Sequence, residues 1–207
     1  MRHNPLSTYI REDINAFESA MKHKIANWHV MIANNNVKIE TFDKRQLSIQ
    51  GVGYSGTLVT QYWSFFDPFI QDYISTKSKE IRIKSIDMHI DTPQSLKIFR
   101  DNMQVSIRII YNKIAETDRL MRGKGFPDNV SLVPVDTEIK HMEHYLDEKI
   151  DAQIDIANRY KSCKRKEFIL EHMSWWISII VLLGGFLCEK MGWIEFGNWL
   201  RKIQDNF

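Results

Sequence analysis

Cysteine is scarce: Cys163 and Cys188 are the only two in 207 residues. One lies before an apolar segment and the other at its far end, so a disulfide framework is excluded. That suits a reducing cytosol for most of the chain. A surplus of one charge sign is lacking as well. The net charge of +2 is too small to suggest nucleic acid as a partner. The opening residues, Met1 to Pro5, hold no apolar run of the kind a signal peptide has. Nor is there a metal-ligand grouping among His23, His29, His89, His141, His144 and His172. His141 and His144 share a helix face with Glu138 and Glu148, a pattern read more simply as a solvated face than as a metal site. No Ser-His-Asp or Cys-His arrangement emerges. The chain reads as a non-enzyme that calls for no cofactor.

What is present, first of all, is an uncharged run from Met173 to Cys188, MSWWISIIVLLGGFLC. Its sixteen residues give roughly 24 Å of helix, against a bilayer core of ~30 Å. Phe168, Ile169 and Leu170 lengthen it on one side, and Met191, Trp193 and Ile194 on the other. This predicts one transmembrane helix over 168–192, with Trp175, Trp176 and Trp193 at the interfaces. Lys164, Arg165 and Lys166, with Arg159 and Lys161, crowd its N-terminal flank. The positive-inside rule then leaves the N-terminal bulk in the cytoplasm of a single-pass inner-membrane protein. Residues 193–207 read as a short amphipathic helix on the far side.

The rest divides into an N-terminal helix over 1–36, a domain over 37–134 and a helical stalk over 135–167. Ile10, Ile14, Phe17, Met21, Ile25, Trp28 and Ile32 recur three or four apart, and Asn34-Asn35-Asn36 ends the pattern. Two alternating segments, Val37 to Phe42 and Gln46 to Gln50, flank the polar Asp43-Lys44-Arg45 and predict a β-hairpin. Leu58, Tyr62, Phe65, Phe66, Phe69, Ile70, Tyr73 and Ile74 give a helical stripe that Pro68 is expected to kink. Glu80 to Asp91 alternates as a strand with a phase slip near Lys84-Ser85. Thr92-Pro93 has the form of a helix start, with Thr92 as N-cap. Gln104 to Tyr111 alternates as another strand, although one continuous helix over 93–121 is the competing reading. A helix from Lys113 to Arg122 and a short strand at Val130 to Val133 complete the domain. Ile139, Met142, Leu146, Ile150, Ile154, Ala157 and Tyr160 mark one face of the stalk.

The order strand, strand, helix, strand, helix, strand, helix over 37–123 resembles the STAS domain, named for sulfate transporters and anti-sigma-factor antagonists. Leu47 to Gly51 opens in the family's manner. Ile90-Asp91-Thr92-Pro93-Gln94-Ser95-Leu96 is similar to its strand ending in Asp, followed by a hydroxyl residue at a helix start. Pro93 and Gln94 stand where the family has Ser-Gly. Tyr62 to Tyr73 also looks like the related small bacterial regulatory phosphoproteins. The resemblance implies an α/β fold with a mixed sheet. It also implies Thr92, with Ser95 as fallback, as phosphoacceptor at a helix N-terminus that favours phosphate. Asp91, with the basic Arg122 and Lys124, would meet a protein partner.

These readings converge on a membrane-tethered regulatory or adaptor protein that recruits a cytosolic partner and self-associates through its stalk. A membrane effector that senses a signal, oligomerises and perturbs the bilayer is the alternative. A third is a nucleotide-binding enzyme, from Gly51-x-Gly53-x-x-Gly56. There the next strand's Asp87 lies further along than the usual ~20 residues.

Overall fold

The computed structural model describes residues 5–34, 36–50, 56–122 and 133–191. Four helices and one hairpin fill them: α1 (Leu6–Ala33), β1 (Asn36–Glu40), β2 (Gln46–Gln50), α2 (Gly56–Asp87), α3 (Thr92–Arg122) and α4 (Val135–Met191). The chain forms two compact units, Met1–Ala157 and Asn158–Phe207. Helix α4 gives its first part to one and the rest to the other.

The first unit is a four-helix assembly with the hairpin laid on it. Helix α3 contacts both α1 and α2, and β1 lies against α1. One continuous core joins Ile10, Ile14, Met21, Ile25 and Trp28 of α1 to Tyr62, Phe66, Ile70 and Ile74 of α2. It continues through Leu96, Phe99, Met103, Ile107, Ile110 and Ile114 of α3 to Met142, Leu146 and Ile150 of α4. Inside the core Tyr62 Oη donates to the Ile114 carbonyl at 3.0 Å. Polar ties hold the rim. Arg108 pairs with Glu143 at 2.7 Å and Arg100 with Asp147 at 3.3 Å, joining α3 to α4. Arg82 Nε donates to Gln153 Oε1 at 2.8 Å, joining α2 to α4.

The hairpin follows its expected form. Five residue pairs run antiparallel from Asn36 opposite Gln50 to Glu40 opposite Gln46. Lys44 N–H donates to the Thr41 carbonyl at 2.9 Å, and Lys44 itself takes φ 61°. That is a turn followed by one left-handed residue, a frequent closure for short hairpins.

The α/β fold with a STAS-like mixed sheet is overturned. The only sheet among the described residues has two strands. Glu80 to Asp87 belongs to α2, and Gln104 to Tyr111 to α3. The cause is the ambiguity of β-branched runs, whose apolar residues satisfy a period of two locally and of 3.6 over a longer stretch. Ser78, Ile81 and Ser85 are buried while Ile83 is exposed, which is helical spacing. In α3, Ile107 is 0% exposed while Val105 is 58% and Ile109 37%, although alternation puts all three on one face. The continuous helix over 93–121, the competing reading, matches α3.

The transmembrane helix expected over 168–192 is overturned too. Among the described residues no helix is long and apolar enough to cross a membrane. The uncharged run is short, and it lengthens only by taking in Glu171 and His172 on one side and Glu189 and Lys190 on the other. The single-pass topology and the inner-membrane location are corrected with it. The glycines Gly51 and Gly53, the strand at 130–133 except Val133, and the tail 193–207 lie outside the described residues.

Between α2 and α3 the chain reverses over four residues. Ile90 N–H donates to the Ser85 carbonyl at 2.8 Å and His89 N–H to the Ile86 carbonyl at 3.1 Å, with His89 at φ 54°. This is the Schellman arrangement, with histidine in the left-handed position that glycine usually fills. His89→Gly is expected to raise stability by about 1 kcal/mol, since glycine carries no Cβ penalty there. Ile107→Ala is expected to cost about 2–4 kcal/mol and Val105→Ala less than about 0.5 kcal/mol in urea unfolding. Equal losses would restore the strand reading.

Candidate functional site

The hairpin lies across α1 and α2 without closing on them fully. Ile39 packs against the core, and Phe42, at the turn, meets Phe69 of α2 edge-on with ring centroids 5.4 Å apart. Openings remain on both sides. A cleft of about 500 Å³ lies between the hairpin and α2, lined by Ile39, Phe42, Gln61, Ser64, Phe65 and Pro68. A second, of about 370 Å³, lies between β1 and α1 beside Trp28, Met31 and Lys38. Ile39 and Phe65 border both. Such volumes fall in the range of small-ligand sites.

Helix α2 serves two faces. Tyr62, Phe66, Ile70 and Ile74 are fully buried in the core, while Phe65 and Phe69 turn to the hairpin side. That stripe is wider than one core contact requires, the one sequence signal that a second partner, the hairpin, covers α2. Pro68 sits inside the helix. Proline has no N–H, so the Ser64 carbonyl loses its usual i+4 donor. Gln61 Oε1 is shielded and has no hydrogen-bond partner among the described residues. The Ser64 hydroxyl is committed to the Thr60 carbonyl at 2.9 Å. At the turn, Thr41 Oγ1 donates to Asp43, whose carboxyl is held below the usual range by that bond first, with Arg45 adding to it.

The residues singled out in the sequence are scattered. Asp91, not Thr92, caps α3: its Oδ1 accepts from Gln94 N–H at 3.5 Å, and its carbonyl accepts from Ser95 N–H and Oγ–H, both at 3.0 Å. Thr92 is the first residue of the helix and 1% exposed, and Ser95 is 0% exposed. A phosphate on either needs that turn to open. Arg122 is at the other end of α3, about 45 Å of helix away. It donates to both carboxylate oxygens of the fully buried Asp118 at 3.1 Å. Asp91 and Arg122 therefore do not form one patch. Lys124, Trp193 and the Trp176 side chain lie outside the described residues. Lys164, Arg165 and Lys166 are exposed on α4, Lys164 over the Tyr160 ring at 5.4 Å.

Beyond that basic run α4 exposes a group of apolar residues, with Glu167, Glu171 and His172 exposed among them. Phe168, Ile169, Leu170, Met173, Trp175 and Ile177 are 47–63% exposed. Three consecutive positions cannot share one stripe of a helix, so the exposed apolar surface runs around it.

A charged clasp joins α1 to α2. Lys77 Nζ contacts Asp13 and Glu80, each at 2.9 Å, and Lys84 contacts Glu80 at 2.8 Å. Tyr9 Oη donates to Glu80 at 2.6 Å and Tyr73 Oη to Asp13 at 2.6 Å. Burial works to lower the Lys77 pKa, but Glu80, Asp13 and Tyr9 outweigh it and push it up. The hydrogen bonds from Lys77, Lys84 and Tyr9 pull Glu80 down to about 2. Further up α2, burial raises Asp67, against the hydrogen bond it accepts from Tyr111 at 2.5 Å. Among the described residues no group of three or more His, Cys, Asp or Glu is placed to hold a metal ion. Comparison of the chain with protein-family models, curated proteins and solved structures gives no match.

The clasp has a pH signature. A carboxyl held below its unfolded value adds stability above about pH 4.5, and that contribution fades as pH falls toward 2. Glu80→Gln is expected to lower the melting temperature at pH 7 and to narrow the gap from wild type by pH 3. The check is thermal unfolding followed by circular dichroism across that range. A gap that stays constant would remove Glu80 from the clasp.

Proposed function

We propose that the protein is a non-enzymatic regulatory adaptor that assembles with copies of itself through α4 and offers its four-helix unit to a protein partner. One observation carries the reading: Phe168, Ile169, Leu170, Met173, Trp175 and Ile177 crowd one short stretch of α4 and are all exposed, whereas the exposed apolar residues of the first unit, such as Val30, Ile83, Val105 and Leu120, are scattered over three helices. A surface of this kind is unfavourable in water, at roughly 25 cal/mol for each Å² of apolar area. Contiguous exposed apolar surface marks an interaction site.

A helix whose exposed apolar residues spread beyond one stripe needs cover from more than one neighbour, which several equivalent helices provide. Copies aligned in parallel bring apolar length against apolar length. They also bring together Arg159, Lys161, Lys164, Arg165 and Lys166, so their repulsion opposes assembly at low salt. Assembly that tightens with ionic strength is the behaviour this arrangement predicts.

The experiment is sedimentation velocity of the full chain from about 1 to 50 µM at low and high salt. Oligomers that grow with concentration and are strengthened by salt are expected. Ile169→Lys with Trp175→Lys is expected to leave a folded monomer, with its helix content retained. A wild-type chain that stays monomeric throughout would end the reading.

A further inference from the structure

The basic run on α4 carries charge that nothing in its own chain answers. Arg159, Lys161, Lys164, Arg165 and Lys166 follow one another with no acid between Asn158 and Glu167. All five are exposed. In the first unit Lys77, Lys84, Arg100, Arg108 and Arg122 each touch a carboxylate. None of the five on α4 does so among the described residues.

The run covers roughly 10 Å of helix axis, about one charge for every 2 Å. Double-stranded DNA carries one per ~1.7 Å, dense enough to hold a condensed layer of counterions. Two unit charges in water repel by more than thermal energy only within about 7 Å, and neighbours in this run are closer than that along the axis. Copies aligned in parallel multiply the density without lengthening the belt. Small anions relieve the repulsion only by being held back from solution. A linear polyanion relieves it once and sets them free.

The geometry narrows the ligand further. Lys161, Lys164 and Arg165 fall within about 100° of one another around the helix, and Arg159 and Lys166 lie on the opposite side. A chain that meets both sets must be flexible or shared between helices. Single-stranded nucleic acid gains from free rings on which its bases stack. Within the run only Tyr160 has a ring, and Lys164 already lies over it at 5.4 Å. Phe168, next along, is stacked on His172 at 4.0 Å. Charge is the attraction that remains, and it favours a chain of phosphates without bases.

We propose that the basic run binds a linear condensed phosphate, and that one such chain bridging several copies drives their assembly through α4. The inference rests on that assembly and supplies its regulation. The same charges that hold copies apart hold them together once a polyanion spans them. By linkage, the phosphate chain binds the assembled form more tightly than the monomer, by the factor by which it promotes assembly.

The test uses the full chain with long-chain inorganic polyphosphate. Orthophosphate at the same total phosphate and oligothymidylate at the same total charge are its counterparts. Sedimentation velocity at low salt is expected to show oligomers with polyphosphate and few without it. Added salt is then expected to act with opposite signs. It promotes assembly of the chain alone and dissolves the assembly that polyphosphate has built, a reversal that screening cannot produce. Lys164→Gln with Arg165→Gln changes two exposed positions. This variant is expected to assemble more readily than wild type at low salt, and to bind polyphosphate about fivefold or more weakly in calorimetry. A misfolded chain would not gain the first and lose the second.

Absence of calorimetric binding at low salt would overturn the proposal, as would binding that leaves sedimentation unchanged. Orthophosphate matching polyphosphate would reduce the effect to screening, and oligothymidylate matching it would make this a nucleic-acid site; either result rejects the proposal. If salt assembles the chain and polyphosphate does not, the inference falls alone and the assembly stands. A chain that stays monomeric in salt and in polyphosphate ends both.

Discussion

Helix α3 has more surface to hide than any one neighbour can cover. Leu96, Phe99, Met103, Ile107, Ile110, Ile114 and Met121 are fully or almost fully buried, and Ser95, Ser106, Thr117 and Asp118 are buried with them. A helix with so broad a buried face needs partners on several sides, and α1, α2 and the first part of α4 supply them. Three of the buried polar residues have side-chain partners that make their burial tolerable. Ser95 bonds the Asp91 carbonyl, Ser106 donates to Glu18 at 2.7 Å, and Asp118 holds Arg122. The rest of the unit is arranged around the needs of this one helix.

Legibility in the sequence depended on punctuation. Helix α1 runs from Leu6 to Ala33 as its apolar spacing requires, because Asn34-Asn35-Asn36 stops it in plain view. The hairpin was legible from the polar Asp43-Lys44-Arg45, and the start of α3 from Asp91-Thr92-Pro93. The second half of α2 and the middle of α3 were not. Both are rich in isoleucine with polar residues between, and short windows of such sequence suit a strand as well as a helix. Length decides, and it works against strands, because no turn signal separates Glu80 to Asp87 from the helical stripe before it or breaks Thr92 to Arg122. The STAS resemblance rested on those two segments being strands.

The site was less legible than the fold. Gln61, Phe65 and Pro68 share a face of α2, which the helical period alone shows. That this face borders an opening depends on where the hairpin lies, and nothing in the local sequence of α2 says that. The resemblance drew attention to Thr92 and Ser95, where a hydroxyl at a helix start suggested an anion site. The cap proved to be the carboxylate of Asp91, and both hydroxyls face inward. The basic and apolar residues of α4 were noticed for their composition, and their exposure gives that composition a different meaning from the one first drawn from it.

The short reversal at His89 has a kinetic consequence. Sealing α2 to α3 with so few intervening residues makes their mutual contacts local in the chain, so bringing them together sacrifices little loop entropy. Pairs of that kind form early, while contacts between distant segments come late. The α2–α3 pair can therefore serve as the nucleus to which α1 and α4 are added. On a ribosome, where the chain emerges from its N-terminus, α1 must wait for α3 to appear before it gains most of its burial.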